Sequence, residues 1–97
     1  GQVLRIPLQE IFYFKSDRKK VTAVTRTKEE AFYARLSDIE AELPRGFIRI
    51  HNRYLVNLRH VDRIGNTFCL CGGEKLPVSR ACRQDLAVAF ARKILNT

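Results

Sequence analysis

The sequence has no tryptophan and no methionine, only three cysteines and three prolines, and ten acidic residues against eighteen basic ones. Each shortage excludes something. Without methionine there is no translation start among the 97 residues, so the chain is expected to be a piece cut from a longer polypeptide. Three cysteines cannot all pair, which argues against a disulfide-stapled secreted scaffold. Cys69 and Cys71 stand two apart on a predicted strand and share a face. That spacing is wrong for the usual metal knuckles, and no second pair or histidine accompanies it; all three thiols are expected to be reduced and structural, with no metal or other cofactor. No apolar run approaches the roughly 18 residues of a membrane span, and no signal-like start is present. The expected setting is cytoplasmic, with no membrane partner. A glycine-rich phosphate cradle and a nucleophile paired with a base are also missing, so an enzyme is the least favoured class.

What the chain does have is positive charge. The formal net charge is +8, and five of the ten acids (Glu29, Glu30, Asp38, Glu40, Glu42) fall within residues 29–42, leaving the remainder more cationic still. Such a domain is drawn to polyanions. Composition alone leaves nucleic acid, an acidic protein or lipid surface, and mere solubility all open.

Apolar and cationic residues are most closely interleaved from Gly46 to Ile64. Ile48, Ile50, Leu55, Val56, Leu58, Val61 and Ile64 can anchor the stretch, at about 1.5–3 kcal/mol for each side chain fully buried. Between them lie Arg49, His51, Asn52, Arg53, Asn57, Arg59, His60 and Arg63, with Asp62 the only acid. These polar groups are rarely buried unpaired, so most must face water or an anionic partner.

The elements are expected in this order. Val3 to Ile6 reads as an edge strand stopped by Pro7, and Ile11 to Phe14 as a strand apolar on both faces, Ile11 with Tyr13 and Phe12 with Phe14. A polar turn, Lys15 to Lys20, joins it to Val21–Thr25, giving a hairpin with a basic tip. Glu30–Ala34 is a further strand with Phe32 inward. Ser37-Asp38-Ile39-Glu40 has the spacing of a capping box for a helix carrying Leu36, Ile39 and Leu43 and ending at Pro44. Phe47–Ile50 is a strand, residues 51–53 a bend, and Tyr54–Leu58 either strand or helical turn. Val61–Ile64 and Thr67–Cys71 follow as strands, then a Gly72-Gly73 hairpin turn and the strand Lys75–Val78. Ser79 can cap a last helix, from about Ala81 to Leu95, along which Cys82, Leu86, Phe90 and Ile94 recur every fourth residue. The class is therefore mainly β and antiparallel, with two helices. Nothing reads as a helix-turn-helix, so any nucleic acid must be met by loops at strand ends.

Two stretches carry a family resemblance. Phe47-Ile48-Arg49-Ile50-His51-Asn52-Arg53-Tyr54-Leu55-Val56-Asn57-Leu58 resembles the signature of the LytTR DNA-binding domain, and Leu76-Pro77-Val78-Ser79-Arg80 resembles its second signature. The preceding aromatic strand, basic loop and helix ending Leu43-Pro44 stand in the matching order, so the likeness covers nearly the whole chain. It implies an elongated, sandwich-like antiparallel β fold, the C-terminal output domain of a bacterial response regulator. It also implies a separate receiver domain and a sensor kinase upstream, and binding of double-stranded DNA at direct repeats through loops in successive major grooves, with two copies, as a homodimer, on the DNA. The implied base contacts are Lys19 or Lys20, Asn52 and Arg80. The family often has another residue at the first position and more commonly a basic one at 52, which leaves base preference open.

Side-chain chemistry agrees independently. Arg80 offers a fork for guanine O6 and N7, and Asn52 can pair with adenine N6 and N7, each worth about 1–3 kcal/mol of discrimination. Lys19 or Lys20 suits a phosphate or a guanine edge. Ser16, Arg18, Arg49, His51, Arg53 and Ser79 flank these loops and can grip the sugar-phosphate backbone, fixing register without reading sequence. Rival roles exist: hairpin solubility for Arg18, Lys19 and Lys20, loop orientation for His51, a pair with an acid such as Asp62 or Glu74 for Arg49, capping for Ser79, and stabilising its own bend for Asn52. A single-strand or RNA binder would need exposed aromatics, and a module for an acidic protein partner would be indifferent to DNA sequence.

Overall fold

The computed structural model describes residues 6–96. After a 3-10 turn at Leu8–Glu10 come β1 (Ile11–Asp17), β2 (Lys20–Thr25), β3 (Glu29–Tyr33), α1 (Leu36–Glu42), β4 (Phe47–His51) and β5 (Tyr54–Asn57). A second 3-10 turn, Leu58–His60, leads to β6 (Val61–Ile64), β7 (Phe68–Cys71), β8 (Glu74–Pro77) and α2 (Arg80–Leu95). All strand pairs are antiparallel, in a five-stranded sheet ordered β3-β2-β1-β5-β4 and a three-stranded sheet ordered β6-β7-β8. The mainly β fold with a short helix and a C-terminal helix is the one the sequence predicts. It is modestly elongated, 36 Å by 26 Å by 23 Å.

The large sheet is apolar on both faces, and each face is covered differently. Ile11, Phe14, Val21, Ala23 and Leu55 form one core with Leu36, roofed by α1 through Ile39 and Leu43. On the other face Tyr13, Val24, Ile50 and Val56 pack against Val61, Cys69, Cys71 and Leu76 of the small sheet and Leu86 of α2. This two-sided burial is what the apolar β1 requires, but its phase differs from strict alternation. A register shift between Ile11 and Tyr13 sends Ile11 and Phe14 to one core, and Phe12 and Tyr13 to the other.

Several boundaries move. Residues 3–5 of the expected first strand lie outside the described residues, and Ile6 is buried against the α1-side core without joining a sheet. The polar run 15–20 is mostly strand, because Lys15, Ser16 and Asp17 pair with Thr22, Val21 and Lys20 and leave only Arg18 and Lys19 as the turn. The capping box is not formed: α1 begins at Leu36, whose side chain the core takes in, with Arg35 at the N-cap and no side-chain cap bond. The undecided stretch 54–58 divides into strand and 3-10 turn. That turn is held by Lys93, whose ammonium donates to the carbonyl oxygens of Leu58 (2.6 Å) and Val61 (2.9 Å). The four-residue series on α2 is buried only in part, with Leu86 enclosed, Cys82 and Phe90 half-buried and Ile94 exposed, so α2 lies shallowly on the sheet.

Candidate nucleic-acid interface

Three of the chain's polar turns meet at one end of the large sheet, and two backbone hydrogen bonds hold them there. The Ser16 N–H donates to the Arg53 carbonyl at 2.9 Å, joining the β1–β2 hairpin to the β4–β5 turn. The Ser79 N–H donates to the Ile50 carbonyl at 2.8 Å, joining the start of α2 to the same turn. Segments far apart in sequence are thus fixed by main chain, not by flexible side chains.

The hairpin is closed by Arg18 and Lys19 between the paired Asp17 and Lys20. Two-residue hairpin loops need a left-handed residue, and here it is Arg18, with φ 59°. Glycine is the usual occupant of such a position, so the tip keeps a cation where the backbone would favour none. Arg18, Lys19 and Lys20 are all exposed, and Ser16 is half-buried.

In the β4–β5 turn the exposed residues are Asn52 and Arg53. His51 is half-buried beside them. Its Nδ1 accepts from the Arg53 N–H at 3.1 Å, which assigns any ring proton of the neutral form to Nε2, and its ring packs edge-on to Tyr54 at 5.8 Å. That is the loop-orienting role. Arg49, half-buried, pairs with Glu40 (3.1 Å) and donates from Nη1 to the Asn52 carbonyl (3.2 Å); its acid partner is neither Asp62 nor Glu74.

Ser79 occupies the N-cap of α2 without a side-chain cap bond, and Arg80, the first helical residue, is exposed. The N–H groups of a helix start and its positive dipole end favour anions beside Arg80. The backbone therefore brings Ser16, His51, Asn52, Arg53, Ser79 and Arg80 together, with Arg18, Lys19 and Lys20 at the adjoining tip. Arg49 is turned back towards α1, beneath the turn. A cavity of about 830 Å³ lies elsewhere, between α2 and the start of β4, lined by Arg45, Ile48, Leu58, Val88 and Arg92 among others and by none of the candidate contact residues.

The LytTr DNA-binding domain family matches residues 1–91 of the chain. The chain belongs to that family. A LytTr domain is a DNA-binding domain, and exposed cationic loops at one end of a β scaffold are consistent with it. The fold superposes on the solved LytTr DNA-binding domain of a Bacillus cereus protein with a TM-score of 0.76, covering 87% of this chain and 84% of that one at 24% identity. Over 59 residues the chain is also 32% identical to SAB2242, an uncharacterized HTH-type transcriptional regulator of Staphylococcus aureus (strain bovine RF122 / ET3-1). That match takes in 61% of this chain but only 40% of the relative's length. In the LytTr domain here the two helices are separated by five strands, so no helix-turn-helix exists among the described residues.

Tyr33 is a feature sequence reading missed. It ends β3 beside the hairpin, 77% exposed, with the Lys20 ammonium 5.1 Å from its ring centroid. The signal was available in the alternation Phe32 inward, Tyr33 outward, next to a basic tip.

Proposed function

We propose that this LytTr domain binds double-stranded DNA in a sequence-specific manner as the output part of a bacterial transcriptional regulator. Lys19 or Lys20, Asn52 and Arg80 read bases from loops laid into successive major grooves, and Ser16, Arg18, Arg49, His51, Arg53 and Ser79 hold or support the grip on the phosphates. The observation that carries this reading is the backbone tie of Ser16 to Arg53 and of Ile50 to Ser79, which gives three cationic or amide-bearing turns a common, rigid flank. Rigidity matters because base readout needs donors fixed before contact, so that little ordering entropy is lost on binding. Two copies on direct repeats, a phosphorylatable receiver upstream and a sensor kinase complete the proposal.

Selection of bound sequences from random duplexes tests it. A defined site is expected, and Arg80→Ala is expected to lose preference at one base pair, a discrimination of about 1–3 kcal/mol. Arg18→Ala is expected to weaken all sequences alike and to lower the salt slope by about one unit. An unchanged profile for Arg80→Ala would remove that residue from base reading, and equal competition by single strands would remove duplex specificity altogether.

A further inference from the structure

The hairpin offers two lysines, and the fold treats them differently. Lys19 sits in the turn itself, its carbonyl accepting from the Ala34 N–H at 3.2 Å and its side chain exposed. Lys20 is the first residue of β2 and pairs directly across the ladder with Tyr33 of β3. Its ammonium lies over the face of the Tyr33 ring, 5.1 Å from the centroid. The ring is 77% exposed, so it serves little as core, whereas the adjacent Phe32 turns beneath α1.

A cation over an aromatic face is attracted by the ring quadrupole and gives up part of its rotamer freedom. The ammonium of a long, otherwise mobile side chain is then presented from a defined place beside the tip. Because Ala34, the next residue, is hydrogen-bonded to the tip through Lys19, the platform and the tip move as one unit.

We propose that Lys20, not Lys19, is the base-reading lysine of the hairpin, and that Tyr33 is the positioning residue that orients it. The inference rests on the DNA-binding reading above and adds β3 as a fourth element of the interface. A purely structural cross-strand pair would contribute to hairpin stability but would leave base preference alone. That difference makes the two roles separable.

The test uses Tyr33→Phe, which keeps the π face, and Tyr33→Leu, which keeps bulk and strand compatibility without it. Lys20→Ala is expected to abolish preference at one base pair. Tyr33→Leu is expected to reduce preference at that same base pair by about two- to fivefold, the range of an exposed cation–π contact, and Tyr33→Phe to retain it. In the free protein the ring-current shift of the Lys20 Hε protons in NMR spectra should persist in Tyr33→Phe and vanish in Tyr33→Leu. A Tyr33→Leu variant with an unaltered base profile, beside a Lys20→Ala variant that loses preference, overturns the role of Tyr33 alone. A Lys20→Ala variant that still selects the same site overturns the role of both residues, and if Arg80→Ala also selects it unchanged, the reading beneath them falls too.

Discussion

Arg49 holds the main chain of Asn52. Its Nη1 lies 3.2 Å from the Asn52 carbonyl oxygen while its Nε lies 3.1 Å from Oε1 of Glu40, so one guanidinium ties the β4–β5 turn to α1. A lysine cannot reproduce this, because the two bonds leave different nitrogens of a planar fork. Both side chains are partly exposed, 24% and 43%, and such a pair contributes at most about 1 kcal/mol to stability. Its value is in geometry. Arg49→Lys and Glu40→Gln are therefore expected to unfold within a few degrees of the parent protein, yet to blur preference at the base pair proposed above for Asn52. Thermal unfolding and site selection, run side by side, check this; a lower unfolding temperature with an intact profile would make the pair structural.

The tip of the hairpin trades stability against charge. Arg18 at φ 59° occupies a conformation that costs an L-residue roughly 1–2 kcal/mol and costs glycine almost nothing. Arg18→Gly is expected to gain about 0.5–1 kcal/mol in chemical denaturation, somewhat less than the full strain because glycine is freer when unfolded. It should also lose DNA affinity and about one unit of salt slope. A variant that gains neither stability nor loses affinity would show that the left-handed arginine is neither strained nor functional.

Much of the fold and of the candidate interface is legible in the chain itself, and the part that is not has a common cause. The two-sided β1, the basic tip and the Gly72-Gly73 turn, with φ 59° and 87°, follow from local pattern. The helix start does not, because burial of Leu36 moves the N-cap two residues ahead of the Ser37 signal, to Arg35, a tertiary gain overriding a cap worth about 1 kcal/mol. Arg49 was legible as a cation in need of an acid but not as the partner of Glu40, since the choice depends on how α1 lies across β4. Tyr33 meeting Lys20 likewise depends on the β2–β3 register, which no turn between them fixes by sequence alone.

Asn57 is a buried polar joint at the end of the large sheet opposite the candidate interface, where β5 meets the start of β1. It is 5% exposed, donates from Nδ2 to the carbonyl oxygens of Ile11 (2.9 Å) and Leu8 (3.3 Å), and accepts at Oδ1 from the Arg59 N–H (3.1 Å). Asn57→Leu fills a similar volume but takes the side-chain partner from the Ile11 carbonyl and the Arg59 N–H, while the Leu8 carbonyl keeps the Ile11 N–H; each group left dry costs about 1–3 kcal/mol. A loss of about 2–4 kcal/mol is expected from urea denaturation. Asn57→Asp keeps the acceptor but brings a charge into the core, and a comparable loss is expected. Near-parent stability in both would mean that these carbonyls find water.

Alkaline pH should loosen the core between the two sheets. Burial pushes the Cys69 thiol up to about 11 and the Cys71 thiol up to about 12 from an ordinary value of 9.0, Asp62 adding to both. Burial, then Glu74 and Glu29, push the Tyr13 phenol up to about 12 from 10.0. All three belong to the same apolar cluster, and Cys71 is held there by an Sγ contact of 3.1 Å to the Phe12 carbonyl. The folded protein keeps these protons at pH values where the unfolded chain releases them, so the unfolded state binds fewer protons and stability falls as pH rises. The contribution is fully present below pH 9, declines from there as the unfolded thiols ionise, steepens above pH 10 as the unfolded phenol joins, and is exhausted near pH 12. Each thiol contributes a slope of about 1.4 kcal/mol per pH unit within its window. Urea midpoints measured from pH 7 upward should be level and then drop, and Cys69→Ser should make the drop shallower, since its hydroxyl does not titrate there. A level line through about pH 10.5 in the parent protein would mean that the thiols keep their ordinary acidity on folding, and that this core admits water.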